Sequence, residues 1–169
     1  MFDSAKIILS AALSILTACL VQTSAFAETK AGDTFGNWAI ECHKAGEDKN
    51  ACVLAQTVVD KDKKQKLLKI IVGKDKEEPF ITTQVPLAID IPAGVSVTVD
   101  QGKAIPLTVK TCLPAGCFAT AKLNGKLLKS IKSGEKLNVS FNLMAGQKQI
   151  TISGSTNGLA EGLKAAKLD

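Results

Sequence analysis

The 169-residue chain contains no Arg and no Tyr, one Trp and one His, and its 21 basic residues are all Lys. Without Arg there is no planar guanidinium fork to grip phosphate or guanine through two parallel hydrogen bonds. Aromatic residues make up 4% of the chain, and its few Phe fall at core-like positions, so a platform for stacking bases is missing as well. Nucleic acid is not an expected partner. The solitary His43 leaves nucleophilic catalysis with one candidate base and a zinc site with one nitrogen ligand. It falls on the outer side of a strand, where a surface role is the ordinary one. Asp60, Asp62, Glu77 and Glu78 lie in lysine-filled segments where water screens them. Asp100 belongs to a turn, and Asp90 has no evident partner. No phosphate-cradling glycine pattern, metal spacing or cofactor fingerprint occurs. The expectation is a protein that is not an enzyme and carries no cofactor and no metal.

What is present begins with an apolar leader. Lys6 precedes an apolar run over residues 7–21, and Ala25-Phe26-Ala27 forms a small-x-small site, so residues 1–27 read as a signal peptide cleaved after Ala27. Leu16-Thr17-Ala18-Cys19 also fits a lipobox that would leave Cys19 as a lipidated N-terminus. Leu20 and Val21 continue the apolar run, however, where a lipoprotein tether turns polar. The run is shorter than the roughly 20 residues that span a bilayer. Export places residues 28–169, read as one domain, where thiols oxidise. Cys42, Cys52, Cys112 and Cys117 then allow three connectivities. Pairing Cys42 with Cys52 and Cys112 with Cys117 needs the least tertiary coincidence. The spacing Cys112-x-x-x-x-Cys117 does not suit a redox Cys-x-x-Cys.

Turn signals at short intervals, with β-branched runs between them, predict an all-β protein, an antiparallel sandwich-like fold. Strands are expected over residues 35–42, 52–59, 67–72, 80–89, 95–99, 105–111, 118–123, 136–143 and 147–153. Trp38, Ile40 and Cys42 alternate inward, which turns His43 outward. The hairpin tips at 60–66 and 73–79 are charged, and Pro86 marks a strand edge or a bulge. Leu127, Leu128 and Ile131 have helical spacing and predict a short helix or turn-rich link over 124–132. Leu159, Leu163 and Ala166 do the same for a short C-terminal helix over 159–168.

The charge is polarised. Residues 28–100 carry 10 Lys against 12 acids, whereas residues 101–169 carry 10 Lys against 3. Lys122, Lys126, Lys129, Lys132 and Lys136 recur with only Glu135 among them, and clustered Lys attract anionic surfaces over long range. They are the candidate anion-binding surface, with anionic lipid, lipopolysaccharide or acidic glycan as partners; a solvated lysine-rich face is the plain alternative.

Gly36-Asn37-Trp38 followed by Cys42 and Cys52, Val85-Pro86-Leu87 with Gly94-Val95, and Cys112-x-x-x-Gly116-Cys117-x-Ala119 resemble the invasion-associated locus B family of alphaproteobacteria. Gly158-Leu159-x-x-x-Leu163 is similar to that family's close, with Leu159 where an aromatic residue is usual. The resemblance spans nearly all of residues 28–169. It implies a small exported β-sandwich-like protein of the periplasm, outer membrane or cell exterior, linked in some pathogenic members to host-cell entry. It also implies structural roles for Trp38 and for the Cys42–Cys52 and Cys112–Cys117 pairs, and it carries over no catalytic residue. A structural or chaperone-like module that meets another envelope protein at a sheet edge such as that at Pro86 is the alternative, and a hydrolase using His43 and Asp90 the remaining one. The oligomeric state is left open.

Overall fold

The computed structural model describes residues 29–44, 50–145 and 148–168. The leader, with Ala27 and Cys19, lies outside the described residues, as do residues 45–49, 146–147 and 169.

The elements follow as β1 (Thr34–Phe35), β2 (Trp38–Lys44), β3 (Asn50–Val59), β4 (Lys66–Asp75), β5 (Glu78–Val85), β6 (Val95–Val99), β7 (Ile105–Leu113), β8 (Gly116–Lys122), α1 (Gly125–Ser133), β9 (Lys136–Asn142), β10 (Gln149–Ser155) and α2 (Leu159–Ala165). Every neighbouring pair is antiparallel, in the order β1-β2-β3-β4-β5-β8-β7-β6-β9-β10. Strand β7 is the corner: Ile105, Pro106 and Leu107 pair with β6, whereas Thr108 onward pairs with β8 across an irregularity between Val109 and Thr111. A bulge bends a strand and increases its twist, and here it carries one strand from the β6-β9-β10 layer into the other. Period-2 alternation then supplies the core. Val95, Val97 and Val99 of β6 and Leu137, Val139 and Phe141 of β9 are buried in the same cluster as Leu68, Ile70 and Val72 of β4 and Ile81 and Val85 of β5. The expected all-β, antiparallel sandwich-like fold is the observed one.

Both helices form where helical spacing and capping agree. Asn124 accepts a hydrogen bond from Leu127 N at 2.9 Å and caps α1, which buries Ile131. Helix α2 buries Leu159 and Leu163. It ends with Lys167 at φ 55 and Leu168 N donating to Leu163 O at 2.9 Å, a terminal wrap that tucks Leu168 into the core.

Four expectations are corrected. The strand over 35–42 is two strands, because Gly36 takes φ +54 and Gly36-Asn37 reverses the chain, setting Phe35 opposite Trp38. The charged tip over 73–79 shrinks to Lys76 and Glu77, since Lys74 pairs with Pro79 and Asp75 with Glu78 in the ladder; Lys76 takes φ 55, and a tip of alternating sign does not oppose pairing. Pro86 marks no sheet edge. Strand β5 is interior, between β4 and β8, and it stops at Val85 because the next residue has no N–H to give the ladder. Ile89, expected in the same strand, makes only an isolated bridge to Leu143.

Candidate functional site

The two cysteine pairs are disulfides, Cys42–Cys52 and Cys112–Cys117, each joining residues directly opposite on adjacent strands. Trp38 is buried and its Nε1 donates to Ser155 O at 2.9 Å. The sequence motifs converge in space. Gly158 takes φ +86 with the carbonyl of Phe35 so close that a Cβ would lie 2.0 Å from it, and Asn37 N donates to Asn157 O at 3.1 Å. Gly36-Asn37-Trp38 and Gly158-Leu159 thus form one junction between the first hairpin and α2. Gly116 takes φ +134 with a would-be Cβ 2.4 Å from Val85 O, which explains a glycine before Cys117.

The residues considered for catalysis do not assemble. His43 is 73% exposed on β2, 3.9 Å from Glu41, and that carboxylate is committed to Lys69 at 2.5 Å. Asp90 serves its own turn, accepting from Ala93 N at 3.4 Å. Asp100, at φ 51, accepts from the backbone of Glu135 at 3.0 Å and Lys136 at 2.8 Å. No group of three or more His, Cys, Asp and Glu is placed to hold a metal among the described residues. Among the same residues no helix is long and apolar enough to cross a membrane.

The lysines are more organised. A groove of about 450 Å³ lies between α1 and the β6–β7 hairpin, floored by Val99, Ile105 and Leu127 and rimmed by Lys103, Lys122, Lys126, Asn124 and Ser130. The structure brings together Lys122, at the end of β8, and Lys126, in the first turn of α1. It adds Lys103, which the sequence pattern missed because it is the pairing of β7 with β8, Thr108 opposite Thr120, that brings the start of β7 to the end of β8 and Asn124. Lys129, Lys132 and Lys136 do not line the groove: Lys129 and Lys136 are exposed and Lys132 is partly buried. Among the described residues Lys103, Lys126, Lys129 and Lys136 make no ion pair. Lys122 is held by Glu78 at 2.5 Å. That hydrogen bond and the Glu78 charge, with Asp75 adding to them, raise the Lys122 ammonium above the usual lysine value of 10.5.

A second groove of about 890 Å³ follows the sheet past Val53, Phe80 and Phe118. Its charges are mixed, from Lys74, Asp75, Glu78, Lys110 and Lys122. Its central hydroxyls are already used, with Thr82 donating to Thr120 and Thr120 to Ile81 O, both at 3.0 Å.

The family model for the invasion associated locus B (IalB) protein matches residues 38–167. An invasion protein B homolog of Brucella abortus is 26% identical over 161 residues, covering 89% of this chain and 91% of the relative. Invasion protein B of Bartonella bacilliformis is 28% identical over 152 residues, covering 82% and 81%. The crystal structure of invasion associated protein b from Bartonella henselae shares the fold, with a TM-score of 0.72 and 24% identity over 80% of this chain and 93% of that one.

Proposed function

The chain belongs to the invasion associated locus B family, and from that membership we propose that it is an exported, non-enzymatic envelope protein that binds anionic envelope or host-surface components through the lysines around α1. One observation carries the binding part: Lys103, Lys122 and Lys126 converge from three elements on a groove with an apolar floor and no carboxylate in its lining. Ammonium groups clustered over such a floor suit an anionic head group attached to apolar carbon. Export is supported by the leader and by two disulfides, which persist in oxidising compartments. The names of the Brucella and Bartonella relatives extend the reading to contact with host cells.

Retention on vesicles containing phosphatidylglycerol, and separately on lipopolysaccharide, tests the reading. Binding is expected to weaken with rising salt. It is expected to fall when Lys122, Lys126, Lys129, Lys132 and Lys136 are changed to Gln, and to fall further with Lys103→Gln. Retention that none of these substitutions alters would overturn it. Mass spectrometry of the native protein tests export: a mass beginning at Glu28 supports processing after Ala27, and a diacylglyceryl mass on Cys19 replaces it with a lipoprotein.

A further inference from the structure

The sheet order leaves β10 at one end, with β9 as its only sheet neighbour among the described residues. Leu143 N donates to Lys148 O at 3.1 Å and Thr156 N to Glu135 O at 3.0 Å. With the β9–β10 register, these bonds fix the antiparallel alternation. Ile150, Ile152 and Gly154 exchange bonds with β9, so the backbone groups of Gln149, Thr151, Ser153 and Ser155 point away from it. The outward pair of Ser155 is occupied: its N–H donates to Gln56 Oε1 at 2.7 Å, and its carbonyl accepts from Gln56 Nε2 at 3.0 Å. The open part of the edge therefore runs from Gln149 to Ser153, and Thr151 is its midpoint.

Exposed edges normally carry Lys, Pro or a bulge that discourages pairing. The seven residues of β10, Gln149–Ser155, hold no charge and no Pro, and their register with β9 is unbroken. The outer face beside the open stretch is uncharged as well; Lys136 on β9 lies beyond it, opposite Ser155. Ser96 and Thr98 on β6 sit in register with Ser140 and Asn138 on β9, which bond to Thr151 at 2.9 Å and Ser153 at 2.6 Å. A chain that is 22% charged keeps the outward positions beside Thr151 and Ser153 free of charge and holds the edge side chains in order.

We propose that β10 is a homodimerisation edge, on which two copies pair antiparallel about a two-fold axis at Thr151. Thr151 then opposes its own copy and exchanges both backbone bonds with it, while Gln149 opposes Ser153. A second copy is the occupant this edge favours because its open stretch is self-complementary. Donors and acceptors recur at equal spacing on either side of Thr151, Ile150 meets Ile152 on the core side, and no like charges are brought opposite within the ladder. No charged residue on the edge selects a foreign strand. So short a ladder falls below the roughly 1,000 Å² of a stable interface, so the dimer is reversible and concentration-dependent.

Sedimentation velocity of the oxidised protein over a range of concentrations is the test, with amide exchange read in parallel. A reversible monomer–dimer equilibrium is expected, with the Thr151 and Ser153 amides exchanging more slowly as concentration rises. Thr151→Lys and Thr151→Glu should each abolish the dimer, because like charges then face each other across the axis. Mixing the two variants should restore a one-to-one heterodimer. Should either variant fail to fold, Gln149→Lys combined with Ser153→Glu places opposite charges across the same axis and should tighten the dimer. A wild type that stays monomeric, a dimer that Thr151→Lys leaves intact, or an edge that pairs only with a different protein overturns the proposal. Vesicle binding through the lysines is unaffected by any of these outcomes.

Discussion

The side-chain amide of Gln56 binds Ser155 as a neighbouring strand would, taking the Ser155 N–H at 2.7 Å and giving to its carbonyl at 3.0 Å. Gln56 is buried, and Nε1 of Trp38 reaches the same carbonyl at 2.9 Å. Strand β7 joins the two layers through the backbone on one side; Gln56 and Trp38 close them through side chains on the other. A buried polar side chain is tolerated there because both ends of its amide are satisfied.

Gln56→Leu keeps the volume near constant but leaves the Ser155 N–H without its partner. Orphaning a buried backbone group costs about 1–3 kcal/mol. The urea midpoint should fall accordingly with an unchanged slope, and the Ser155 amide should lose its protection from exchange.

Thr83 is fully buried on β5 and its Oγ1 has no hydrogen-bond partner. Removing an unsatisfied buried hydroxyl relieves its desolvation penalty. Thr83→Val, which keeps the branched shape, should stabilise the protein by about 1 kcal/mol, read as a higher midpoint in the same denaturation experiment. An unchanged or lowered midpoint would count against an unpartnered hydroxyl.

The disulfides close loops with sequence separations of 10 and 5 residues. Chain-entropy arithmetic assigns each about 2–3 kcal/mol. Replacing Cys42 and Cys52 together by Ser, and separately Cys112 and Cys117, should each lower stability by that order. The two losses should add, since the pairs lie in different hairpins.

Lys122 gains its partner in the folded state, so its ammonium holds its proton to a higher pH than in the unfolded chain. The contribution of that pair is complete at neutral pH and is lost as pH rises through the raised value. Glu78→Gln should bring the Lys122 titration, followed by NMR of the side chain, back toward 10.5. At neutral pH the same change frees Lys122 for the groove and should strengthen retention on anionic vesicles.

Much of the fold was legible because alternation, capping and disulfide spacing are local. Val95-Ser96-Val97-Thr98-Val99 becomes β6 with its three Val inward, Asn124 caps the helix that Leu127, Leu128 and Ile131 announce, and each Cys finds the nearest Cys in sequence. The turn at Gly36-Asn37 escaped because β1 is two residues long, too short to show an alternation of its own. The lysine surface was legible only in part. Five Lys read as one cluster along the chain, but a helix turns side chains through about 100° per residue. Lys126 therefore lines a groove that Lys129 does not, and Lys103 joins it from a distant hairpin.

Sequence by itself determined the class of this protein: antiparallel strands with their inward faces, a short C-terminal helix and cysteines spaced for local pairing. Tertiary structure decided which strands became neighbours, because β5 meets β8 and β6 meets β9 across long stretches of chain that no local window records. The position of the edge follows from that order. Pro86 carries an edge signal yet ends an interior strand, and β10 carries none yet is left open. Whether a strand is last in its sheet is a property of the whole sheet, whereas side-chain chemistry along the strand only reports how that position is managed.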